Sequence, residues 1–158
     1  MHLSEGPSRS YECSMTDDQF VTAFETCTIR SEQFHHADHV RLGFLYMCRF
    51  PVLEGMQRFS EALQRLAVVG GKPSLYHETI TWAFLLLVRE RLTRWAQHRG
   101  TLPSWDEFAS ENKDLLMGKD QVLKEYYTDE TLKSELARKI FILPDRSLAP
   151  AKENALRK

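Results

Sequence analysis

Residues 52–69 read VLEGMQRFSEALQRLAVV, and this stretch decides the fold class of the chain. Its apolar side chains recur at alternating steps of four and three, at Val52, Met56, Phe59, Leu63 and Leu66. An α-helix turns about 100° per residue, so these side chains share one face of a helix. The stretch therefore predicts a long amphipathic helix that buries a continuous stripe.

The same helical periodicity continues on both sides of this stretch, and no segment alternates as a strand does. Capping boxes are predicted at Thr16 with Gln19 and at Ser104 with Glu107. The predicted helices cover about residues 16–27, 31 or 34–50, 51–70, 74–98, 104–112, 121–127 and 128–142. We predict an all-α, single-domain helical bundle of about four longer helices with short C-terminal helices packed on it.

Composition sets the expected limits of the domain. Residues 1–14 contain no apolar signal segment and are predicted to be a flexible leader. Residues 15–146 form the predicted helical domain. Residues 147–158 are polar and are predicted to be a disordered tail.

Charge and cysteine content exclude several classes of protein. The chain has 158 residues, 21 Lys+Arg and 22 Asp+Glu, so its net charge of -1 argues against a basic nucleic-acid-binding surface. The longest apolar run, residues 82–88, is far shorter than the ~20 residues of a membrane span. Three cysteines without a CxxC pair favour a reducing compartment. We expect a soluble, cytoplasmic protein.

Six histidines occur, and the segment FHHADHV (residues 34–40) holds three of them. On a helix that turns about 100° per residue, His36 and His39 fall on the core side. His35 falls on the flank. One helix uses the i, i+3 spacing to supply two imidazoles to a metal.

A second segment, YHETIT (residues 76–81), lies near the start of the fourth predicted helix, which covers about residues 74–98. His77 is predicted at the centre of the apolar face of that helix, where a hydrophobic residue is usual. Thr81 lies one turn further on, and Glu78 lies at the border of the face. Two helices are therefore predicted to direct histidines inward.

These positions predict a divalent metal, zinc or iron, held by His36, His39, His77 and Glu78. Three neutral imidazoles suit zinc, whereas two with the carboxylate suit iron(II). Glu78 is alternatively the general base acting on a metal-bound water, with Thr81 and Tyr76 assisting in the site. This hypothesis describes a metal-dependent enzyme that acts on a small molecule. Hydrolysis, isomerisation and oxygenation stay open, and no oligomeric state is predicted.

Two alternatives follow from the same residues. In the first, the histidines and Glu78 line a metal-free pocket that binds a ligand or catalyses acid–base chemistry. In the second, the chain is a helical interaction module whose histidines are structural, since a buried histidine more often completes a hydrogen-bond network than binds a metal.

The segments FHHADHV, YHETIT, SWDEF and FILPD together resemble a family of small helical proteins of unassigned function. The likeness covers roughly residues 16–146. Its FxHxxH pattern corresponds to Phe34, His36 and His39, and its YHETIT pattern corresponds to residues 76–81. The resemblance implies a helical fold and names neither a reaction nor a metal.

Overall fold

The computed structural model describes residues 15–146, and over this range the fold is all-α, as predicted. The helices are α1 (Asp17–Glu25), α2 (His36–Arg49), α3 (Val52–Val69), α4 (Glu78–Arg99), α5 (Trp105–Glu111), α6 (Lys113–Leu116), α7 (Lys119–Leu123), α8 (Asp129–Lys133) and α9 (Glu135–Lys139). Within residues 15–146 no helix combines the length and the apolar character needed to cross a lipid bilayer. The predicted leader and tail, residues 1–14 and 147–158, lie outside the described residues.

The four N-terminal helices pack as a bundle, with α2 in contact with α1, α3 and α4. Phe24, Tyr46 and Phe59 meet where α1, α2 and α3 join, and their ring centroids are 5.3–6.0 Å apart. Gly55 permits the close approach of α2 and α3, because a Cβ atom there would lie 2.8 Å from the Met47 Cε atom. The predicted stripe of α3 thus packs against the aromatic side chains of its neighbours.

Both predicted capping boxes are confirmed. The Thr16 hydroxyl accepts the Gln19 N–H at 3.2 Å, and the Gln19 side chain accepts the Thr16 N–H at 3.0 Å. Ser104 and Glu107 form the same reciprocal pair at 3.2 and 2.8 Å. These local signals identify helix starts because all the atoms involved lie within four residues.

Two helices begin later than predicted. Residues 31–33 and 73–75 form single 3₁₀ turns, and α2 and α4 begin only at His36 and Glu78. His77 is consequently the N-cap of α4, with an extended backbone at φ -137° and ψ 109°. It lies outside the helical repeat from which its inward position was predicted.

The predicted C-terminal helix 128–142 is divided at Ser134, whose hydroxyl caps α9 by accepting the Ala137 N–H at 3.1 Å. Beyond α9 the chain forms neither helix nor strand over residues 140–146, which we name the C-terminal strap. Its Phe141 ring stacks on Trp82 of α4 with ring centroids 5.6 Å apart. The strap therefore lies across the first turns of α4.

Candidate functional site

His77 is buried, with 7% of its surface exposed, and both of its ring nitrogens are engaged. Nδ1 accepts the backbone N–H of Ile80 at 3.2 Å. Nε2 lies 2.7 Å from the carbonyl oxygen of Leu132. A carbonyl oxygen can only accept, so Nε2 carries the proton and the ring is the neutral tautomer. His77 thereby caps α4 and attaches α8 to it.

His36 makes a similar bond from the first residue of α2. Its Nε2 atom donates to the carbonyl oxygen of Leu115 in α6 at 2.8 Å. The edge of the His36 ring also meets Phe84 of α4, with the ring planes at 90° and the centroids 5.3 Å apart. This histidine joins α2, α4 and α6, and it is half-buried, although the helical spacing places it on the core side.

His39 is also half-buried, and its ring centroid lies 4.0 Å from that of Phe34. Phe34 in turn stacks on Phe24 of α1 at 6.0 Å. His35 is exposed, as its flank position predicts, and its backbone N–H donates to the Asp38 carboxylate at 2.9 Å. The three neighbouring histidines therefore have three different environments.

Tyr76 and Glu78 are the pair of predicted catalytic residues that the fold brings into direct contact. The Tyr76 hydroxyl donates to the Glu78 carboxylate, and Ser60 and Gln64 of α3 lie beside it. Burial, followed by the bond to Glu78, raises the pKa of Tyr76 to about 12. Tyr76 is therefore protonated at neutral pH and acts as a hydrogen-bond donor.

Two threonines of the YHETIT segment are buried in α4. Thr81 donates its backbone N–H to the His77 carbonyl at 3.0 Å, as part of the helix. Thr79 has no exposed surface, and sequence reasoning missed its role. Its hydroxyl donates to the Ile140 carbonyl at 2.8 Å and accepts the Ile142 N–H at 3.1 Å. On the helical repeat Thr79 falls about 200° from His77, on the side of the charged residues, so the spacing gave no signal for it.

The predicted metal ligands are not brought together as a set. Among residues 15–146, no group of three or more His, Cys, Asp or Glu side chains is placed to hold a metal ion. His36 and His77 direct Nε2 to carbonyl oxygens on different helices, and coordination through either ring nitrogen of His77 would cost the hydrogen bond which that nitrogen makes. The present donor arrangement does not fit the metal, which stays a prediction.

Two adjoining open cavities mark the surface where α1 and α3 end. The larger has a volume of about 580 Å³, and we name it the α1–α3 groove; its lining residues are Glu25, Thr26, Cys27, Glu61, Gln64, Arg65, Val68 and Val69. The second measures about 360 Å³ and shares Val69 with the groove. Val68 and Val69 are 63% and 68% exposed. Sequence reasoning missed this surface, although Val68 lies about 200° from the buried stripe position Leu66.

No protein family, curated protein or solved structure matches this chain.

Proposed function

We propose that the protein is a helical interaction module that binds another protein at the α1–α3 groove. The observation that carries the proposal is the exposure of Val68 and Val69 on the walls of two adjoining open cavities. A contiguous exposed apolar patch marks an interaction site, and Val68 and Val69 are adjacent and line the same depression. This is the second of the alternatives that the sequence leaves open.

The valine pair has a measurable amount of binding free energy to contribute. Complete burial of a valine side chain contributes at least about 1.5 kcal/mol. Since about two thirds of the surface of each valine is exposed, a partner that covers both would gain about 1 kcal/mol from each. Together the two valines would contribute about 2 kcal/mol, which marks a docking position without supplying most of the affinity.

The histidines support this proposal over an enzymatic one. The Nε2–H groups of His36 and His77 donate hydrogen bonds to the carbonyl oxygens of Leu115 and Leu132. Those bonds attach α6 and α8 to the long helices and make the bundle a firm support for a surface. Both described cavities are also open to solvent, whereas a small-molecule site encloses most of its ligand.

A selection from displayed random peptides tests the proposal. Wild-type protein is compared with the Val68→Glu/Val69→Glu double variant and with Leu53→Glu as the matched control. Leu53 is 78% exposed on the same helix, at least about 20 Å away along its axis. We expect wild type and Leu53→Glu to enrich the same peptides and the double variant to lose them.

Thermal unfolding of the three proteins serves as the folding control. Substitutions at exposed positions usually change stability by less than about 0.5 kcal/mol, so all three should unfold alike. The proposal fails if wild type enriches no peptide above background. It also fails if the enriched peptides bind the double variant as tightly as wild type.

A further inference from the structure

The α1–α3 groove contains two carboxylates, Glu25 and Glu61, and one cation, Arg65, so its lining carries a net negative charge. Glu25 accepts the Tyr46 hydroxyl at 2.8 Å, and Glu61 accepts the Gln57 side-chain amide at 3.0 Å. Among the described side chains, no Lys or Arg forms an ion pair with either carboxylate. Each carboxylate keeps the capacity to accept further hydrogen bonds.

Arg65 is the cation of the same groove, and its guanidinium contacts the backbone of α1. Its Nη2 atom lies 3.5 Å from the backbone carbonyl oxygen of Glu25, the last residue of α1. The carbonyl end of a helix carries partial negative charge, which attracts a guanidinium. Arg65 therefore serves the end of α1, and the side-chain carboxylates stay available to a partner.

The spacing of Glu61 and Val68 sets the expected distance between a charged and an apolar residue of the partner. Glu61 and Val68 are seven positions apart on α3, so they share one side of the helix and lie about 10 Å apart along its axis. Val69 continues the apolar part of this surface toward the second cavity. An acidic position thus stands at a defined distance from an apolar one.

On the basis of the proposed function, we infer that the partner is a protein segment with a basic residue beside its apolar anchor. The apolar side chain packs on Val68 and Val69, and the lysine or arginine pairs with Glu61, with Glu25 adding to the negative potential. In an extended segment the two partner residues are two or four positions apart, since each residue spans about 3.3 Å and only alternate side chains share a face. In a helical segment they are about seven apart.

The test repeats the peptide selection with three further proteins. Glu61→Gln removes the carboxylate, Glu61→Lys reverses its charge, and Glu130→Gln is the control at an exposed carboxylate of α8 outside the groove. We expect wild type and Glu130→Gln to select apolar peptides rich in Lys and Arg. Glu61→Gln should lose this bias, and Glu61→Lys should select Asp and Glu in its place.

A synthetic pair of peptides completes the test. The best wild-type peptide and its Lys→Met or Arg→Met version are labelled and measured by fluorescence anisotropy. An exposed ion pair changes affinity modestly, so a two- to fivefold loss is expected with wild type and none with Glu61→Gln.

The outcomes separate this inference from the proposed function. If wild type and Glu61→Gln select peptides of the same composition, the partner is not basic at this position while the docking surface stands. If wild type selects acidic peptides, Arg65 dominates the groove and the inference is overturned. If no peptide is enriched at all, the proposed function fails with it.

Discussion

His77 and Leu132 are 55 positions apart in the chain and are joined by a hydrogen bond of 2.7 Å from the ring Nε2 to the carbonyl oxygen. The bond links the N-cap of α4 to α8, and the Nδ1 atom of the same ring caps α4. One buried side chain therefore stabilises a helix end and a tertiary contact. This double role makes its removal costly and its exchange for a metal bond unfavourable.

Substitution of His77 tests that role. His77→Ala removes the cap, which costs about 1 kcal/mol, and leaves the Leu132 carbonyl unsatisfied, which costs about 1–3 kcal/mol. We expect the free energy of unfolding in urea to fall by about 2–4 kcal/mol. His77→Asn should lose less, because asparagine is a good N-cap. A loss below about 0.5 kcal/mol in His77→Ala would contradict the structural role.

Thr79→Val tests the attachment of the C-terminal strap. The substitution keeps the shape but deprives the Ile140 carbonyl and the Ile142 N–H of their partner, so stability should fall by about 1–3 kcal/mol. Hydrogen exchange of the Ile142 amide should accelerate. The matched control is Thr93→Val on the same helix, whose exposed hydroxyl bonds only to the Arg89 carbonyl within the helix. Equal effects at the two threonines would refute the assignment.

Cys27 has a backbone conformation that glycine adopts more easily than alanine, so the two variants should differ in stability. It follows the C-terminal end of α1 with φ 56°, the left-handed region that favours glycine. Its N–H bonds to Phe24 O at 3.2 Å and the Thr28 N–H to Ala23 O at 2.9 Å, which is the Schellman arrangement. Cys27→Gly should be more stable than Cys27→Ala by about 1 kcal/mol in thermal unfolding. If the alanine variant is the more stable, the local backbone is not the one described.

Asp145 gives the protein an acid-sensitive contact. Its carboxylate accepts the Thr131 hydroxyl at 2.5 Å and both the N–H and the hydroxyl of Thr128, at 2.9 and 2.8 Å. These bonds lower the pKa of Asp145, so its contribution to stability is complete above the unfolded pKa near 3.9 and is lost as pH falls through the lower folded value.

Asp145→Asn checks this direction. At pH 7 the variant should be less stable than wild type in urea unfolding, and the difference should shrink as the pH is lowered below about 4. A difference that stays constant down to pH 2 would show that the carboxylate charge does not hold the strap.

Metal titration tests the hypothesis that the sequence favours. Tag-free protein is titrated with Zn²⁺ and with Fe²⁺, and metal content is measured by mass spectrometry. Because both ring nitrogens of His77 are engaged, we expect any metal uptake to be the same in wild type and His77→Asn. Stoichiometric metal that is lost in both His36→Ala and His77→Ala would instead establish the metal site and displace the interaction module.

The predictable part of the fold is its local part. The α3 stripe and the boxes at Thr16 and Ser104 depend on atoms within a few residues, so spacing identifies them. The spacing predicts the starts of α2 and α4 too early, because periodicity continues through the 3₁₀ turns 31–33 and 73–75. The division at Ser134 was missed for the same reason.

The candidate site also divides into a part that the sequence predicts and a part that only the fold decides. The sequence by itself determined that His36 lies on the inner side of α2 and that a buried ring needs a polar partner, whereas His77 lies just before the helical repeat used to place it. Only the tertiary structure decided that the partners are the carbonyl oxygens of Leu115 and Leu132. Every residue carries a backbone carbonyl, so no residue type in the sequence identifies such a partner. Only the packing of α6 and α8 determines which carbonyl it is.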